Sequence, residues 1–342
     1  MKEKIYVISD IEMGRGDIMD DFSDDGGLAG FIKKIIEPDA DVQTALVLNG
    51  DIFDFLKMAY KGSYPRHITE DISAWKLDEV LRCHPQVFSA LKTFLQKNGN
   101  IVHFVIGNHD ADLAWPSLQT TLREHLGGNV SSVLFDFWFK REGLHVEHGH
   151  LCDPFFSINI ARTLTAYRGK KILNTSFGAS ICSSYLVDLK KQFPREERIF
   201  PKHLMFNINP ELKRQKKKIT QKILLKDLFL NPLIKFRDPT RRVPYKKLFK
   251  HFLRYGTDVT DDAKFLPRYI RKMVKKHPDE KVYVLGHSHL LRQHEYKGKT
   301  IFITDTWRDE YDLEQNMAKK PRSYVEIGYA DGKLLNAGMK VL

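Results

Sequence analysis

Five short apolar runs in this chain are each followed by polar residues that can bind a metal ion, and no other feature restricts the possible folds as much. Apolar runs of this length that end in Gly, Asn or Asp are typical of buried strands. Two stretches with helix-like spacing, 27–37 and 77–97, lie between the first three runs. Alternating strands and helices predict an α/β fold with a largely parallel sheet. The five runs are residues 4–9, 44–50, 101–108, 144–149 and 281–287.

The polar residues after these runs should meet at one edge of the fold, because the carboxyl ends of parallel strands gather on one side of an open α/β sheet. Their carboxylate, amide and imidazole donors suit Mn, Fe, Zn or Mg, and no cysteine is among them. Asp10 and Glu12 would leave a strand end in the same direction and repel each other unless a cation lay between them. The residues concerned are Asp10, Glu12, Asp51, Asp54, Asn108, His109, Asp110, His148, His150, His287 and His289.

The net charge of +12 is distributed unevenly along the chain. Residues 155–280 hold 30 Lys and Arg against 11 Asp and Glu, a net charge of +19, whereas the remainder carries −7. The same segment shows basic helical patterns interrupted by prolines, and strand signals return after it. We therefore predict one α/β domain formed by residues 1–154 and 281–342, with a basic, mostly helical insertion or cap at 155–280. The concentrated positive charge favours an anionic, phosphate-bearing partner.

Composition and cysteine usage are those of an ordinary globular protein. Hydrophobic residues make up 42% of the chain, and no apolar run of about 18 residues predicts a transmembrane helix. The N-terminal apolar run is too short for a secretion signal. Three cysteines without a CxxC pair favour a reducing compartment. We expect a cytoplasmic protein, either free or attached to the periphery of a membrane, and leave its oligomeric state open.

At these motifs the chain resembles the calcineurin-like metallophosphoesterase superfamily. The resemblance runs through the acidic pair at 10–12, GDxxD at 50–54, GNHD at 107–110, HGH at 148–150 and GHxH at 286–289. It covers the body of the chain but not the insertion. It implies a four-layer α/β/β/α sandwich that holds two divalent metal ions about 3.5–4 Å apart. Manganese is the favoured metal, with Mg, Fe or Zn as alternatives.

The resemblance also implies a role for each motif residue. His109 would stabilise the phosphoryl charge or the leaving oxygen, held in place by Asp110, and Asp54 would accept a hydrogen bond behind the metal ligands. His150 would lie near the metals or the substrate. Arg15 lies just beyond the first motif, outside the resemblance, and either contacts a phosphate or is a surface charge. The first metal would take Asp10, Glu12, Asp51 and His289, and the second would take Asp51, Asn108, His148 and His287, with Asp51 shared.

The function that the resemblance implies is hydrolysis of a phosphodiester or pyrophosphate bond by a hydroxide that bridges the two metals. The stretches "GDIFDF", "EHGHLCDP", "GHSHL" and "FITDTW" are similar to the UDP-2,3-diacylglucosamine diphosphatase-like group. That similarity implies a nucleotide-linked substrate, with a lipid as one option, and an insertion that covers the site. The alternatives are a nuclease or cyclic-nucleotide phosphodiesterase and, outside enzymes, a binding or scaffold protein with a decayed metal site.

Glu12 departs from the family pattern, because most members have a histidine there. A carboxylate binds Mn or Mg well, but it adds a negative charge at the first metal. We expect Glu12 to ligate that metal. In the opposite case Glu12 faces away, and the first metal is weakly held or missing.

The insertion contains two basic stretches with apolar or aromatic residues at intervals, 213–230 and 237–255. The first has an apolar stripe, which most often packs against the body of the same chain. Docking on a membrane surface is a second interpretation, and nucleic-acid contact is a third and less favoured one. The stripe comprises Ile219, Ile223, Leu224 and Leu228.

Overall fold

The structure is a computed structural model. The predicted helix at 213–230 is described only as far as Ile223, apart from residue 226, so Leu224 and Leu228 lie outside the described residues. The described residues are 2–39, 41–97, 99–223, 226, 238–241, 243–255 and 262–342.

Strands and helices alternate in the first part of the chain, and helices dominate between Phe177 and Lys276 in the described residues. The strands are β1 (Lys2–Ile8), β2 (Val42–Asn49), β3 (Ile101–Val105), β4 (Val133–Asp136), β5 (Trp138–Arg141), β6 (Leu144–Glu147), β7 (Leu164–Tyr167), β8 (Lys170–Leu173), β9 (Ile199–Phe200), β10 (Val282–Leu285), β11 (Arg292–Tyr296), β12 (Lys299–Ile303), β13 (Tyr311–Asp312), β14 (Ala318–Lys319), β15 (Ser323–Ala330) and β16 (Lys333–Val341). The α-helices are α1 (Asp25–Lys34), α2 (Glu70–Cys83), α3 (Pro85–Gln96), α4 (Pro116–Leu126), α5 (Phe177–Ile181), α6 (Val187–Gln192), α7 (Lys202–Ile208), α8 (Pro210–Ile223), α9 (Tyr245–Tyr255) and α10 (Asp262–Lys276).

Two mixed sheets form the centre of the molecule. The first has the order β16-β15-β1-β2-β3-β4, and β1 to β4 run parallel in it. The second has the order β11-β12-β10-β6-β5, and β6, β10 and β12 run parallel in it. The carboxyl ends of the parallel strands within each sheet therefore lie at the same edge of that sheet.

The side chains of β1 show how the sheets are layered. Tyr6 and Ile8 pack in the core that includes residues of α1 to α4, whereas Ile5 and Val7 pack against the second sheet. This alternation is the period of two that a strand buried on both faces requires. On the outer face of the second sheet, α10 packs its apolar residues against β10 and β12. The order of layers is helix, sheet, sheet, helix, which confirms the predicted α/β/β/α sandwich.

Helix α4 shows how local sequence sets an element. Pro116 occupies its first turn, where the missing N–H costs nothing. Its buried residues Leu118, Leu122 and Leu126 recur every four positions, which is the spacing of one helix face. Gly127 ends the helix with φ 66°, a left-handed conformation that favours glycine.

The segment predicted as an insertion contacts the body at several places. Strand β9 pairs in parallel with β13, and β7 and β8 form a separate hairpin. Helix α10 falls within the predicted insertion, yet it forms the outermost layer of the sandwich. Ile219 packs on a small cluster that includes Leu212 of its own helix. No helix among the described residues is both long and apolar enough to cross a membrane.

Candidate metal centre

Several of the predicted metal ligands lie in a strained backbone conformation. These residues have φ between 51° and 70°, a left-handed conformation that costs a residue with a side chain about 1–2 kcal/mol. Such strain persists only where the surrounding structure imposes it, and it concentrates at functional sites. The residues are Asp10, Glu12, Asp51, His287 and His289.

Two glycines of the motifs allow side chains to approach the backbone closely. A Cβ atom at Gly50 would lie 2.5 Å from Cγ of His148, and one at Gly107 would lie 2.1 Å from Oδ1 of Asp51. Neither contact is sterically possible. The glycines are therefore required so that the His148 and Asp51 side chains can reach the centre.

The first group of potential ligands, which we call the open cluster, comprises Asp51, Asn108, His148 and His287. Nε2 of His148 lies 3.0 Å from Oδ2 of Asp51. Candidate ligand atoms of Asp51, His148 and His287 all lie within 4.8 Å of one another. Oδ1 of Asn108 is buried and accepts no hydrogen bond from the described residues. A buried acceptor without a donor is costly, and a cation would satisfy this oxygen together with the donors beside it.

Both histidines of the open cluster are oriented through one ring nitrogen. Nδ1 of His148 donates to the backbone carbonyl of Asn49 at 2.9 Å, which leaves Nε2 to face Asp51. Nε2 of His287 lies 3.2 Å from Oδ2 of Asp153. A carbonyl or carboxylate behind the ring is the usual support of a metal-binding histidine.

The charge of Asp51 is well matched to cation binding. Burial alone would raise the pKa of Asp51, but the nearby imidazoles of His148 and His109 hold it well below its usual range. The carboxylate is therefore ionised at neutral pH. A buried carboxylate beside imidazole nitrogens and an amide oxygen is a donor set that divalent transition metals bind.

His109 lies beside the open cluster and is fixed by a different carboxylate from the one predicted. Its Nδ1 is 3.0 Å from Oδ1 of Asp54, and its backbone N–H donates to Oδ1 of Asp51 at 2.8 Å. Asp110 instead accepts the backbone N–H groups of Gly107 and Ile52, at 2.7 and 2.8 Å. The support of the His109 ring thus comes from Asp54. Asp110 instead joins its own loop to the loop after β2 through these two backbone donors.

Burial alone would lower the pKa of His109, but the carboxylates of Asp51 and Asp54 outweigh it and raise the pKa to about 10. The ring is partly accessible, with 14% of its side-chain surface exposed. Nδ1 faces Asp54, so Nε2 is the atom left to meet a ligand. This geometry suits a group that donates a proton or a hydrogen bond to an anion.

The second group, which we call the paired cluster, comprises Asp10, Glu12 and His289. Nη1 of Arg308 lies 3.1 Å from Oε1 and 3.0 Å from Oε2 of Glu12, and Nζ of Lys57 lies 3.2 Å from Oε2. Nε2 of His289 lies 3.1 Å from Oδ1 of Asp10 and 3.5 Å from Oε1 of Glu12. Glu12 is buried and points inward, and both of its oxygens contact cations that belong to the chain itself.

Further carboxylates hold these two cations in place. Nε and Nη2 of Arg308 donate to Oε1 of Glu310 at 3.0 and 2.9 Å. Nζ of Lys57 lies 2.7 Å from Asp54 and 2.6 Å from Glu197. Burial would raise the pKa of a carboxyl such as Glu12, yet the charges of Arg308 and Lys57 lower it below its usual range. The paired cluster is therefore a buried network in which the charges already compensate each other.

The sequence motifs do not include several residues that complete the centre. Arg308 stands five residues after the β12 strand, and Lys57 stands three residues after Asp54, so one turn of 3-10 helix brings Lys57 and Asp54 together. Lys190 and Glu197 come from the predicted insertion, and Lys190 contacts both Asp21 and Glu197. Their charge is the sequence signal that marks them, because partners such as Glu12 for Arg308 and Asp21 for Lys190 are distant along the chain.

The remaining predicted residues lie at different distances from these clusters. His150 is buried with its ring 5.4 Å from that of His148, and neither ring nitrogen has a hydrogen-bond partner among the described residues. Arg15 contacts Asp17 and Glu79, and its guanidinium lies 5.6 Å from the ring of Trp75. His150 thus belongs to the centre, and Arg15 belongs to a surface charge group.

The chain matches no protein-family model and no curated protein sequence. Solved structures that align with it include an archaeal phosphodiesterase, at 8% identity over 99% of both chains with a TM-score of 0.35. A predicted phosphoesterase from Streptococcus pneumoniae aligns at 7% identity over 100% of this chain and 99% of the other, with a TM-score of 0.30. A phosphopantetheinyl hydrolase from Mycobacterium tuberculosis aligns at 13% identity over 89% and 90%, with a TM-score of 0.25. Scores at this level carry no argument about function, so the centre must be interpreted from its own geometry.

Proposed function

We propose that the chain is a divalent-metal-dependent hydrolase that cleaves a phosphodiester or pyrophosphate bond. The observation that carries this proposal is the open cluster, in which ionised Asp51, His148 and His287 face one another beside the unpartnered Oδ1 of Asn108. A binding protein with a decayed site would have no reason to keep a buried polar atom without a hydrogen-bond partner, since such an atom is costly. The enzyme interpretation is therefore favoured over a scaffold.

The residues of the open cluster fit a divalent metal ion. Carboxylate, amide oxygen and imidazole donors form a set suited to Mn, Fe or Zn, and the supports behind His148 and His287 orient their rings. Asp10 and His289 of the paired cluster, with Glu12 and the shared Asp51, would hold a second ion, for which Arg308 and Lys57 would have to release Glu12. A divalent ion in such a site activates water and offsets phosphoryl charge.

The chain itself supplies orientation and a proton donor. The carboxylate of Asp54 holds Nδ1 of His109, so that Nε2 can donate to a phosphoryl or leaving-group oxygen. The backbone N–H of His109 donates to Oδ1 of Asp51 at the same time. His109 is therefore attached both to the Asp51 carboxylate, through its backbone, and to Asp54, through its ring. These two hydrogen bonds fix the distance between Asp51 and the ring that would face the substrate.

The substrate proposed first is a nucleotide-linked pyrophosphate, with a lipid such as a UDP-2,3-diacylglucosamine-like molecule as one version. It is supported by the motif resemblance and by the positive charge of residues 155–280. On α9, Phe249 and Leu253 are 65% and 73% exposed and lie four residues apart on one face of a helix that also carries three lysines. That face is compatible with peripheral contact at an anionic membrane surface, and nucleic acid is the less favoured partner.

A hydrolysis panel tests the proposal. Protein loaded with Mn²⁺, Mg²⁺, Zn²⁺ or Fe²⁺ is assayed on an aryl phosphomonoester, an aryl phosphodiester, a nucleotide diphosphate ester and single-stranded DNA. We expect metal-dependent hydrolysis of the diester or the pyrophosphate, which a chelator abolishes and readdition of metal restores. Absence of hydrolysis with every metal would overturn the proposal, and hydrolysis confined to DNA would replace it with a nuclease.

A further inference from the structure

A separate group of potential metal ligands lies behind the centre, on the other face of β6, the strand that leads into His148. In β6, Leu144 and Val146 point into the core between the sheets. His145 and Glu147 therefore point the opposite way, toward the layer formed by α10. His277, the residue after α10, meets them there, and candidate ligand atoms of the three lie within 4.8 Å of one another.

The distances within this group are those of a compact donor set. Nε2 of His145 lies 3.0 Å from Oε2 of Glu147, and Sγ of Cys152 lies 3.9 Å from Oε1 of the same carboxylate. The rings of His145 and His277 are 4.1 Å apart and nearly parallel. Around a tetrahedral zinc with bonds of about 2.0–2.3 Å, ligand atoms lie roughly 3–4 Å apart. One ion would therefore require the stacked rings of His145 and His277 to rotate, because nearly parallel rings do not aim their in-plane nitrogens at one point.

Two buried imidazole nitrogens in the group lack hydrogen-bond partners. Nδ1 of His145 and Nε2 of His277 have none among the described residues, and the side chain of His145 is fully buried. Buried polar atoms almost always have a partner, and each exception calls for an explanation such as an ion. Both atoms belong to the residue type that most often binds zinc.

We propose that His145, Glu147 and His277, with Cys152 as the fourth ligand, bind a structural Zn²⁺ ion. Two imidazoles, one carboxylate and one thiolate make a closed set for that metal. The site is distinct from the candidate metal centre, because its ligands point away from the face on which His148 leads into that centre. The proposal does not depend on the proposed enzymatic function.

Three nearby lysines would repel a cation at this site. Their positions decide whether the site can bind one. Nζ of Lys140 lies 3.2 Å from Nδ1 of His277, Lys272 donates to the backbone carbonyl of Cys152, and Lys276 packs over the ring of Trp138. Lys140 is 40% exposed at its side chain, so it can turn into solvent when Nε2 of His277 binds metal. The negative charges of Glu147 and a Cys152 thiolate balance the ion itself.

Such a site would join two layers of the sandwich. The ion would link β6, which leads into His148, to the end of α10, which covers the second sheet. A metal that binds only the folded arrangement stabilises it by an amount that grows with the logarithm of the free metal concentration above the dissociation constant. Zinc should therefore raise the melting temperature through this site without taking part in hydrolysis.

The test measures zinc binding in an Asp51→Asn background, which weakens the candidate metal centre. Chelator-treated protein is titrated with Zn²⁺ against a chromophoric competitor, and thermal unfolding is followed with and without the metal. We expect one zinc per chain, and we expect His277→Gln to weaken its binding at least about 100-fold and to remove the zinc-dependent rise in melting temperature. His277 is chosen because it is half-buried and its replacement leaves the core intact.

The controls separate this site from others. His203→Gln removes an exposed histidine and should leave zinc binding unchanged. Replacement of zinc by Co²⁺ should give a thiolate charge-transfer band that Cys152→Ser abolishes. Equal zinc binding in His277→Gln and the Asp51→Asn parent would overturn the site, and a retained thiolate band in Cys152→Ser would overturn the fourth ligand.

Discussion

The open cluster and the paired cluster share one origin and differ in their neighbours. Both are built from residues just beyond the carboxyl ends of parallel strands, and both contain left-handed backbone at their ligands. In the open cluster, Oδ1 of Asn108 lacks a donor. In the paired cluster, Glu12 already contacts Arg308 and Lys57. The comparison teaches that donor type alone does not define a metal site, because the fixed charges around the donors decide whether they are available.

The energetic difference between the two buried clusters follows from the contacts that an entering cation must break. A cation that enters the open cluster satisfies an acceptor without breaking any contact of Asn108. A cation that binds Glu12 must separate a buried ion pair, and removal of one partner from such a pair typically costs about 3–5 kcal/mol. If both ions bind, the ion in the open cluster should therefore bind more tightly.

Substitution of Asp51 should produce the largest effect, because its carboxylate belongs to the open cluster and is proposed to serve the ion of the paired cluster as well. Asp51→Asn removes the negative charge from a buried site, so metal in the open cluster should be lost and turnover should fall on the order of 10³-fold or more. Metal analysis and hydrolysis rates measure both effects. Asp188→Asn, at an exposed carboxylate, is the matched control. An Asp51→Asn protein that keeps its metal would contradict the role of Asp51 as a ligand in the open cluster.

Substitution of His109 should separate catalysis from metal binding. His109→Ala removes the ring but keeps the backbone N–H that holds Oδ1 of Asp51, so metal content should stay the same. Loss of the donor should lower kcat about 10²–10³-fold. His203→Ala on the surface provides the control. If metal content fell together with kcat, the role of His109 would be that of a ligand.

Substitution of Arg308 tests the paired cluster itself. Arg308→Gln removes the guanidinium that contacts both oxygens of Glu12, and it leaves an excess of buried negative charge. A second divalent ion should then bind about tenfold more tightly than in the wild type, and the metal-free variant should be less stable. Calorimetric titration with Mn²⁺ measures the weaker of the two affinities. Arg15→Gln, in the surface charge group, should change neither quantity.

Glu12→Ala extends the same test. If Glu12 ligates the ion of the paired cluster, its removal lowers the occupancy of that ion. Unchanged metal content in this variant, together with an unchanged second affinity in Arg308→Gln, would show that the paired cluster holds no ion in either form.

The sequence predicts which polar residues stand at the strand ends, but it does not predict which side chains pack around them in the folded chain. A run such as residues 4–9 shows both its strand and the carboxylate at its end, since both depend on neighbouring residues. The motif resemblance implies the sandwich, and the alternation of the buried side chains of β1 in the structure confirms its layers. Arg308 is 296 positions from Glu12 in the sequence, so only the folded chain brings them together. Asp54 takes the place predicted for Asp110 because hydrogen-bond geometry, which the motif does not encode, decides between two nearby carboxylates.

The smallest predicted effect concerns acid stability, and it comes from the carboxylate behind the paired cluster. Burial alone would raise the pKa of Glu310, but Arg308 and His289 outweigh it and lower the pKa from 4.5 to about 2. The unfolded chain therefore binds more protons than the folded chain between these values, so the contribution of Glu310 is present above pH 4.5 and is lost as the pH falls toward 2. Between pH 6.5 and pH 4.0 that loss amounts to about 1 kcal/mol.

Glu310→Gln should remove this part of the pH dependence, so its free energy of unfolding should fall less between the two pH values than that of the wild type. Urea unfolding at pH 6.5 and pH 4.0 measures the difference, and Glu314→Gln at an exposed position is the control. The paired cluster should thus respond to acid through Glu310, whereas the open cluster should respond to chelators through its metal. An equal fall in Glu310→Gln and wild type would mean that Arg308 does not hold Glu310 ionised, and the contrast between the two clusters would lose its electrostatic basis.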